Sequence, residues 1–342
     1  MKASAVRLIL FQIALYILLT SCQNMHQEEY KWIPTAGAAE EYPIKIIKGR
    51  FISNTGFSPH LPIPEFINAG WGNNGGVMVV GPEQKPVPDS LEVVWLSYAE
   101  KKFYSGKFVL PKEKIADHFK KGFQDQEMGG RQDYNYLTLG FAPGGGIALW
   151  ISGGISQVEI AQFRAQEIHL TKDDLDPQDT YIFRPGAMQE AYDRNVPAAA
   201  RERVLENGIQ YDFIERYQMR YNWKFSINHE KVKINHILPY YFNAESEEIF
   251  DGALSNNFVK ARGLPKQVYV EWFDKKNQKM STDIVFDEYE IRSAFAEIPK
   301  NGNGELYFEV DPNEYTVKVS LKSGDKVTKL IKQTSKTFLV PQ

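Results

Sequence analysis

Hydrophobic and polar positions alternate along this chain in two matching sets. Leu91, Val93 and Trp95 alternate with Ser90, Glu92 and, less strictly, Val94; Val268, Val270 and Trp272 alternate with Gln267, Tyr269 and Glu271. Period-two patterns mark strands with one buried face. Each run leads through a polar turn, Tyr98–Lys101 or Asp274–Gln278, into a second run, Lys101–Leu110 or Lys279–Phe286. That is the signature of a hairpin. Helical spacing follows: Ile115, Phe119 and Phe123 share one face, as do Ile291, Ala294, Phe295 and Ile298. Pro111 suits a first helical position, and Asp287 with Glu290 three residues on is capping-box-like. A further hairpin closes each set. Leu137, Leu139 and Phe141 turn at Ala142-Pro-Gly-Gly-Gly146 into Ile147, Leu149 and Ile151; Leu306, Phe308 and Val310 turn at Asp311–Glu314 into Val317, Val319 and Leu321.

Pro88/Pro265, Val93/Val270 and Trp95/Trp272 lie at a common offset, and Ile115/Ile291 and Phe119/Phe295 at an offset one residue shorter. The pattern therefore predicts an internal duplication. The expected fold class is α+β: two tandem β-rich domains, each of antiparallel hairpins with a packed amphipathic helix, over residues 41–186 and 221–342. A helical connector over 187–220 joins them, with Pro197 opening one helix and Gly208 stopping it. Tyr221–Ile227 is expected to open the second domain and to play the part that Tyr42–Ile47 plays in the first. Val77–Gly81 reads as a short buried strand, Val158–Ile168 as one further strand, Thr171–Pro185 as a solvated acidic loop, and the lysine-rich stretch over 323–342 as a solvated edge strand.

The first 21 residues have the form of a signal peptide. Lys2 and Arg7 precede an apolar run from Leu8 to Leu19 that is too short to span a bilayer. The run ends Leu19-Thr20-Ser21-Cys22, which resembles the bacterial lipobox and implies lipid attachment at Cys22, with two or three acyl chains for stable anchoring. Residues 22–40 are expected to be a tether. Gln23, where Asp would imply inner-membrane retention in some bacteria, favours the outer membrane.

Composition narrows the chemistry. A length of 342 residues, 43% hydrophobic and 24% charged, allows a packed core in roughly two domains. The net charge of −3 offers no basic field for nucleic acid. Cys22 is the single cysteine, so disulfides, a cysteine nucleophile and cysteine-ligated metals are excluded from the mature body. Ala142–Gly146 lacks the Lys-Ser/Thr of a phosphate loop and leads into a strand. There is no Gly-x-Ser-x-Gly and no His-Glu-x-x-His. His229 and His236, seven apart, fall on opposite faces of one strand, and Asp173, Asp174, Asp176 and Asp179 lack the glycine and terminal glutamate of a calcium loop. Glu92 and Glu271 take outward strand positions, which argues against a paired-carboxylate site. No cofactor, metal or catalytic residue is expected.

The lipobox, the Pro88–Trp95 strand with Tyr104 and Leu110-Pro111, the Gly140–Trp150 hairpin and Arg220-Tyr-Asn-Trp223 together resemble an uncharacterised family of bacterial lipoproteins, the domain-of-unknown-function 2931 family. The resemblance covers about residues 30–240, with the second repeat as a diverged extension. It implies no established activity and no catalytic residue. Some members of such families lie beside contact-dependent or type VI toxin genes, which implies immunity roles. The expected function is thus a lipid-anchored, non-catalytic inhibitor that engages one envelope or toxin protein. The alternative is a glycan- or envelope-binding accessory lipoprotein, and a weaker third is a hydrolase with a cryptic carboxylate pair. Candidate binding residues are Trp71, in a Pro/Gly/Asn-rich loop where it either stacks on a ligand or plugs the sheet end, with Tyr104 and Trp150 in the family-like strands.

Overall fold

The structure, a computed structural model, describes residues 28–341 except 65, 76–80, 126–127, 229–231, 251, 253 and 255–257. Cys22 with its leader, most of the expected strand at Val77–Gly81, His26 and His229 lie outside the described residues.

The first half supplies β1 (Glu29–Lys31), β2 (Ile33–Ala38), β3 (Ile44–Ile52), β4 (Gln84–Pro86), β5 (Ser90–Ser97) and β6 (Lys102–Val109). After α1 (Lys112–Lys121) come β7 (Phe123–Asp125), β8 (Gly130–Gln132), β9 (Tyr136–Ala142), β10 (Gly146–Gly153), β11 (Ser156–Arg164) and β12 (Gln166–Ile168). Two four-stranded sheets result, ordered β11-β10-β9-β2 and β12-β6-β5-β3. Two 3-10 turns, Lys172–Asp174 and Pro177–Phe183, then lead to α2 (Ala187–Asn195), α3 (Ala198–Asn207) and α4 (Phe213–Tyr217).

The second half begins with β13 (Tyr221–Ile227), β14 (Lys233–Tyr241), β15 (Ile249–Phe250), β16 (Lys260–Arg262), β17 (Pro265–Phe273) and β18 (Lys279–Val285). It ends with α5 (Glu288–Ala296), β19 (Gly304–Asp311), β20 (Thr316–Ser323), β21 (Lys326–Leu330) and β22 (Thr334–Leu339). Its sheets are five-stranded, β16-β13-β19-β20-β21 and β15-β14-β17-β18-β22. The protein is a β-rich α+β fold.

The pairing in one half recurs in the other. The named strand pairs are antiparallel except one in each half, β2 beside β9 and β13 beside β19. Tyr30 pairs with Lys85, and Tyr221 with Arg262. In each half one extra residue bulges opposite a buried tryptophan. Ile46 faces Trp95 and Lys48 faces Val94, leaving Ile47 over; Ile234 faces Trp272 and His236 faces Glu271, leaving Asn235 over. Such bulges bend a strand and sharpen its twist.

The cores follow the same plan. Trp32, Trp95, Trp223 and Trp272 are all fully buried. A buried indole usually donates its N–H, although that of Trp95 finds no acceptor among the described residues. Trp32 Nε1 donates to the Lys85 carbonyl at 3.3 Å and Trp223 Nε1 to the Gly263 carbonyl at 3.2 Å. Tyr30 stacks on Phe119 with ring centroids 5.1 Å apart, and Tyr221 meets Phe295 edge-on at 5.5 Å. Ile115 and Phe119 seat α1 on the first core as Ile291 and Phe295 seat α5 on the second. Asp287 caps α5, its side chain accepting from the Glu290 N–H at 2.8 Å.

Several expectations need correcting. Tyr221–Ile227 takes the place of Ile33–Ala38, beside the parallel partner, and not that of Tyr42–Ile47. The segment read as a tether over 22–40 therefore holds two strands, β1 and β2, from Glu29 onward, with Trp32 at the centre of the core. The stretch over 158–168 divides between two sheets, as β11 and β12. The terminal stretch does the same, as edge strands β21 and β22.

The acidic loop over 171–185 is not wholly solvated either. A third cluster, including Ile47, Leu96, Phe103, Ile182, Ala191 and Phe213, packs this segment and the connector onto the outer face of the β3–β5–β6 sheet. Asp179 goes in with it and pairs with Lys45 at 2.5 Å, the two side chains only 10% and 7% exposed. Removing one partner of a buried pair takes away much of what compensates the other's burial. Asp179→Ala is expected to cost about 3–5 kcal/mol in urea unfolding, and the double change Lys45→Met with Asp179→Leu to recover most of it.

Candidate functional site

The halves meet at a turn. After β14, Tyr241 N–H donates to the Glu245 carbonyl at 2.9 Å and Ala244 takes a left-handed conformation, φ 64°. This turn docks on β11 as an added strand would. Gln157 N–H donates to the Ser246 carbonyl at 3.2 Å and Ser246 N–H to the Gln157 carbonyl at 3.0 Å. The Gln157 side-chain amide donates to the carbonyls of Gly72 (2.9 Å) and Ala244 (2.6 Å). The Trp150 indole donates to the Asn243 carbonyl at 3.0 Å. Gly72 is left-handed, φ 74°, and a Cβ there would lie 2.1 Å from the Ala244 Cβ, so the close approach needs glycine.

Charge at this joint is poised. Arg220 pairs with Glu245 at 2.7 Å. Glu159 stands beside them, its Oε1 accepting from Gln162 at 2.7 Å and its Oε2 finding no hydrogen-bond partner among the described residues. Burial, and secondarily the nearby Glu245 charge, pushes the Glu159 pKa up, against the opposing pull of Gln162 and Arg220. His118 on α1 is shifted the other way. Burial lowers its pKa first, and Lys114 and Lys121 add to that.

Three openings surround the joint and the first sheet. The largest, about 680 Å³, lies between α3, α4 and the first turn of α5. Arg203, Arg216, Tyr217, Tyr289 and Arg292 line it with Glu41 and Glu288. Arg292 donates to Glu288 at 2.8 Å and to the Arg216 carbonyl at 2.8 Å, and its guanidinium lies 5.0 Å from the Tyr217 ring and 5.2 Å from Phe242. Burial first, then Glu288, pushes the Tyr217 hydroxyl up to about 12. Tyr289 is 76% exposed. A second groove, about 360 Å³, crosses the joint between Asn73, Asn74 and Ser152 on one side and Tyr240 and Gln267 on the other. The third, about 420 Å³, lies on the outer face of the first sheet around Arg50, Glu92 and Lys107.

The sequence candidates fall mostly into the core. Trp150 is fully buried and its N–H is spent on Asn243, so no face of it reaches a ligand. Tyr104 is 4% exposed, stacked on Trp95, with its hydroxyl donating to Glu100 at 2.7 Å. Both side chains are taken up by the core. Trp71 is half-buried, held edge-on by Trp150 at 4.9 Å and Phe213 at 5.1 Å. It plugs the joint and lines the second groove by its remaining edge. Glu92 and Glu271 do face outward, Glu92 paired with Arg50 and Lys107, and Glu271 with Lys279 and His236. The residues of the openings were missed because they are assembled from segments far apart in the chain. Exposed Tyr289, in the first turn of a predicted helix, was the one local signal.

Among the described residues no group of three His, Cys, Asp or Glu could hold a metal ion, and no helix is long and apolar enough to cross a membrane. Fold and joint define a β-rich α+β protein with polar clefts where its two sets of sheets meet. Residues 20–212 match the model of a family described as protein of unknown function (DUF2931), and the chain belongs to that family. The match covers the first half and most of the connector, and stops before β13. No curated protein and no solved structure matches the chain.

The two shifted groups predict opposite pH effects. Glu159 has a folded pKa above its ordinary 4.5, so the folded state takes up the proton first and stability rises as pH falls through that value. His118 has a folded pKa below its ordinary 6.5, so stability falls as pH drops below 6.5. Glu159→Gln removes a charge that burial disfavours and is expected to stabilise the protein by roughly 1 kcal/mol at pH 7 and to abolish the acid-side gain in thermal melts.

Proposed function

We propose that this protein is a lipid-anchored, non-catalytic binding protein of the bacterial envelope. Residues 1–21 are its signal peptide and Cys22 its acylated residue, held at the outer membrane. Its body is two tandem α+β domains from an internal duplication, a reading supported by the strand-by-strand recurrence of pairing, bulge and buried tryptophans. The partner is one protein, bound as an inhibitor or immunity protein binds a toxin. The observation that carries this reading is the cleft between the connector helices and α5. It presents three arginines and two tyrosines, one of them 76% exposed, and arginine and tyrosine are the residue types that concentrate energy at protein interfaces. Its carboxylates are already engaged, Glu41 by Arg203 at 2.5 Å and Glu288 by Arg292.

The test is affinity purification of the tagged, membrane-anchored chain from its own cells. One stoichiometric protein is expected with the native chain and is lost with Tyr289→Ala. Cys22→Ala is expected to move the chain from the membrane to the soluble fraction. Purification of no protein, or of the same protein undiminished by Tyr289→Ala, contradicts the reading.

A further inference from the structure

The outward face of β14, β17 and β18 differs in kind from its counterpart on β3, β5 and β6. Matched through the pairings beside Trp95 and Trp272, the places of Arg50, Glu92 and Lys107 are taken by Leu238, Tyr269 and Asp283. The first row is an ion-pair network, with Arg50 2.8 Å and Lys107 2.9 Å from Glu92, as a solvated sheet face commonly is. The second row is a leucine, a tyrosine and an aspartate, all half-buried. Tyr240 meets Tyr269 edge-on at 6.2 Å and 79°, and the Gln267 amide donates to the Tyr269 hydroxyl at 2.9 Å and to Asp283 at 2.8 Å. These side chains point away from Val268, Val270 and Trp272, so the core does not require them. Tyr269 thus sets an aromatic ring where the first sheet has the ion-paired carboxylate of Glu92, while Glu271 on the same face keeps its pair with Lys279.

Tyr240 and Gln267 also form one wall of the groove across the joint, facing Asn73, Asn74 and Ser152. The Ser152 hydroxyl finds no partner among the described residues. The charged side chains there are Lys266 and Glu245, the latter already paired with Arg220. The rest is amide, hydroxyl and aromatic. Such a lining offers an ionic ligand no net counter-charge. It suits a pyranose, whose axial C–H faces pack on aromatic rings and whose hydroxyls both donate to and accept from amides. We infer that the groove and the tyrosine face beside it bind a neutral oligosaccharide, with Tyr240 and Tyr269 against the sugar rings and Asn73, Asn74 and Gln267 on their hydroxyls. This site is separate from the arginine-lined cleft and stands whether or not a protein docks there.

Saturation-transfer NMR on the full mature chain tests it, with four probes: chitotetraose, which carries the N-acetyl groups of cell-wall strands, and the glucans cellotetraose, maltotetraose and laminaritetraose. At least one is expected to receive saturation, and Tyr269→Ala and Gln267→Ala are each expected to weaken its binding by about tenfold with the melting temperature unchanged. Transfer to chitotetraose alone identifies a cell-wall strand as the source, and transfer to a glucan identifies a capsular or storage polymer. Transfer to none of the four overturns the inference, as does binding that survives both substitutions at full strength.

Discussion

The docking of one turn on one strand edge shapes both clefts that lie between the halves of this protein. Gln157 exchanges both backbone hydrogen bonds with Ser246 and spends its side chain on two more carbonyls, one from each half. The start of the β11 edge is thereby bridged, which covers part of the ladder that open sheets must otherwise protect. Trp150 and Gly72 complete the contact, one by reaching the Asn243 carbonyl and the other by having no side chain. An aromatic row then runs across the joint from Trp71 through Phe213 and Tyr217 to Phe242, which stacks on Tyr217 at 5.8 Å. The arginine-lined cleft and the amide-lined groove both take walls from the two halves, so neither exists without this contact.

Within each half the framework repeats because its constraints repeat. In both halves a carbonyl just ahead of the central hairpin accepts from one buried indole, Trp32 or Trp223. A strand bulges opposite the second indole, and a helix covers one end of the core with an isoleucine and a phenylalanine. What differs lies outside that framework. The first half carries the acidic segment over 171–185 and the connector, which cover part of an outer sheet face and bury Lys45 with Asp179. On the corresponding face of the second half Tyr269 stands in the place of Glu92, and Glu271 keeps an ion pair with Lys279.

The antiparallel hairpins and both amphipathic helices were legible because they are local. Alternation over a few residues and a turn of the right chemistry suffice to specify them. Ile33–Ala38 was not legible. Its sequence, Ile-Pro-Thr-Ala-Gly-Ala, has no alternation because almost every residue is buried, and its partner β9 lies far along the chain. Gly37 is there because a Cβ would sit 2.3 Å from the Asn73 carbonyl oxygen, a contact that composition alone does not reveal. The same holds for the candidate sites. Tyr104 and Trp150 stood out as aromatics in characteristic strands, and burial claimed both. Tyr240, Gln267 and Arg292 carried no local mark, since only the docked turn brings them into shared clefts with the first half.

The joint is therefore the place to test the account. Differential scanning calorimetry of the mature chain and of Gly72→Val compares the docked and undocked states, since valine there meets the Ala244 turn. The account predicts one cooperative transition for the native chain and two separated transitions for the variant, one for each half. Two independent transitions in the native chain, or an unchanged single transition in Gly72→Val, would contradict it.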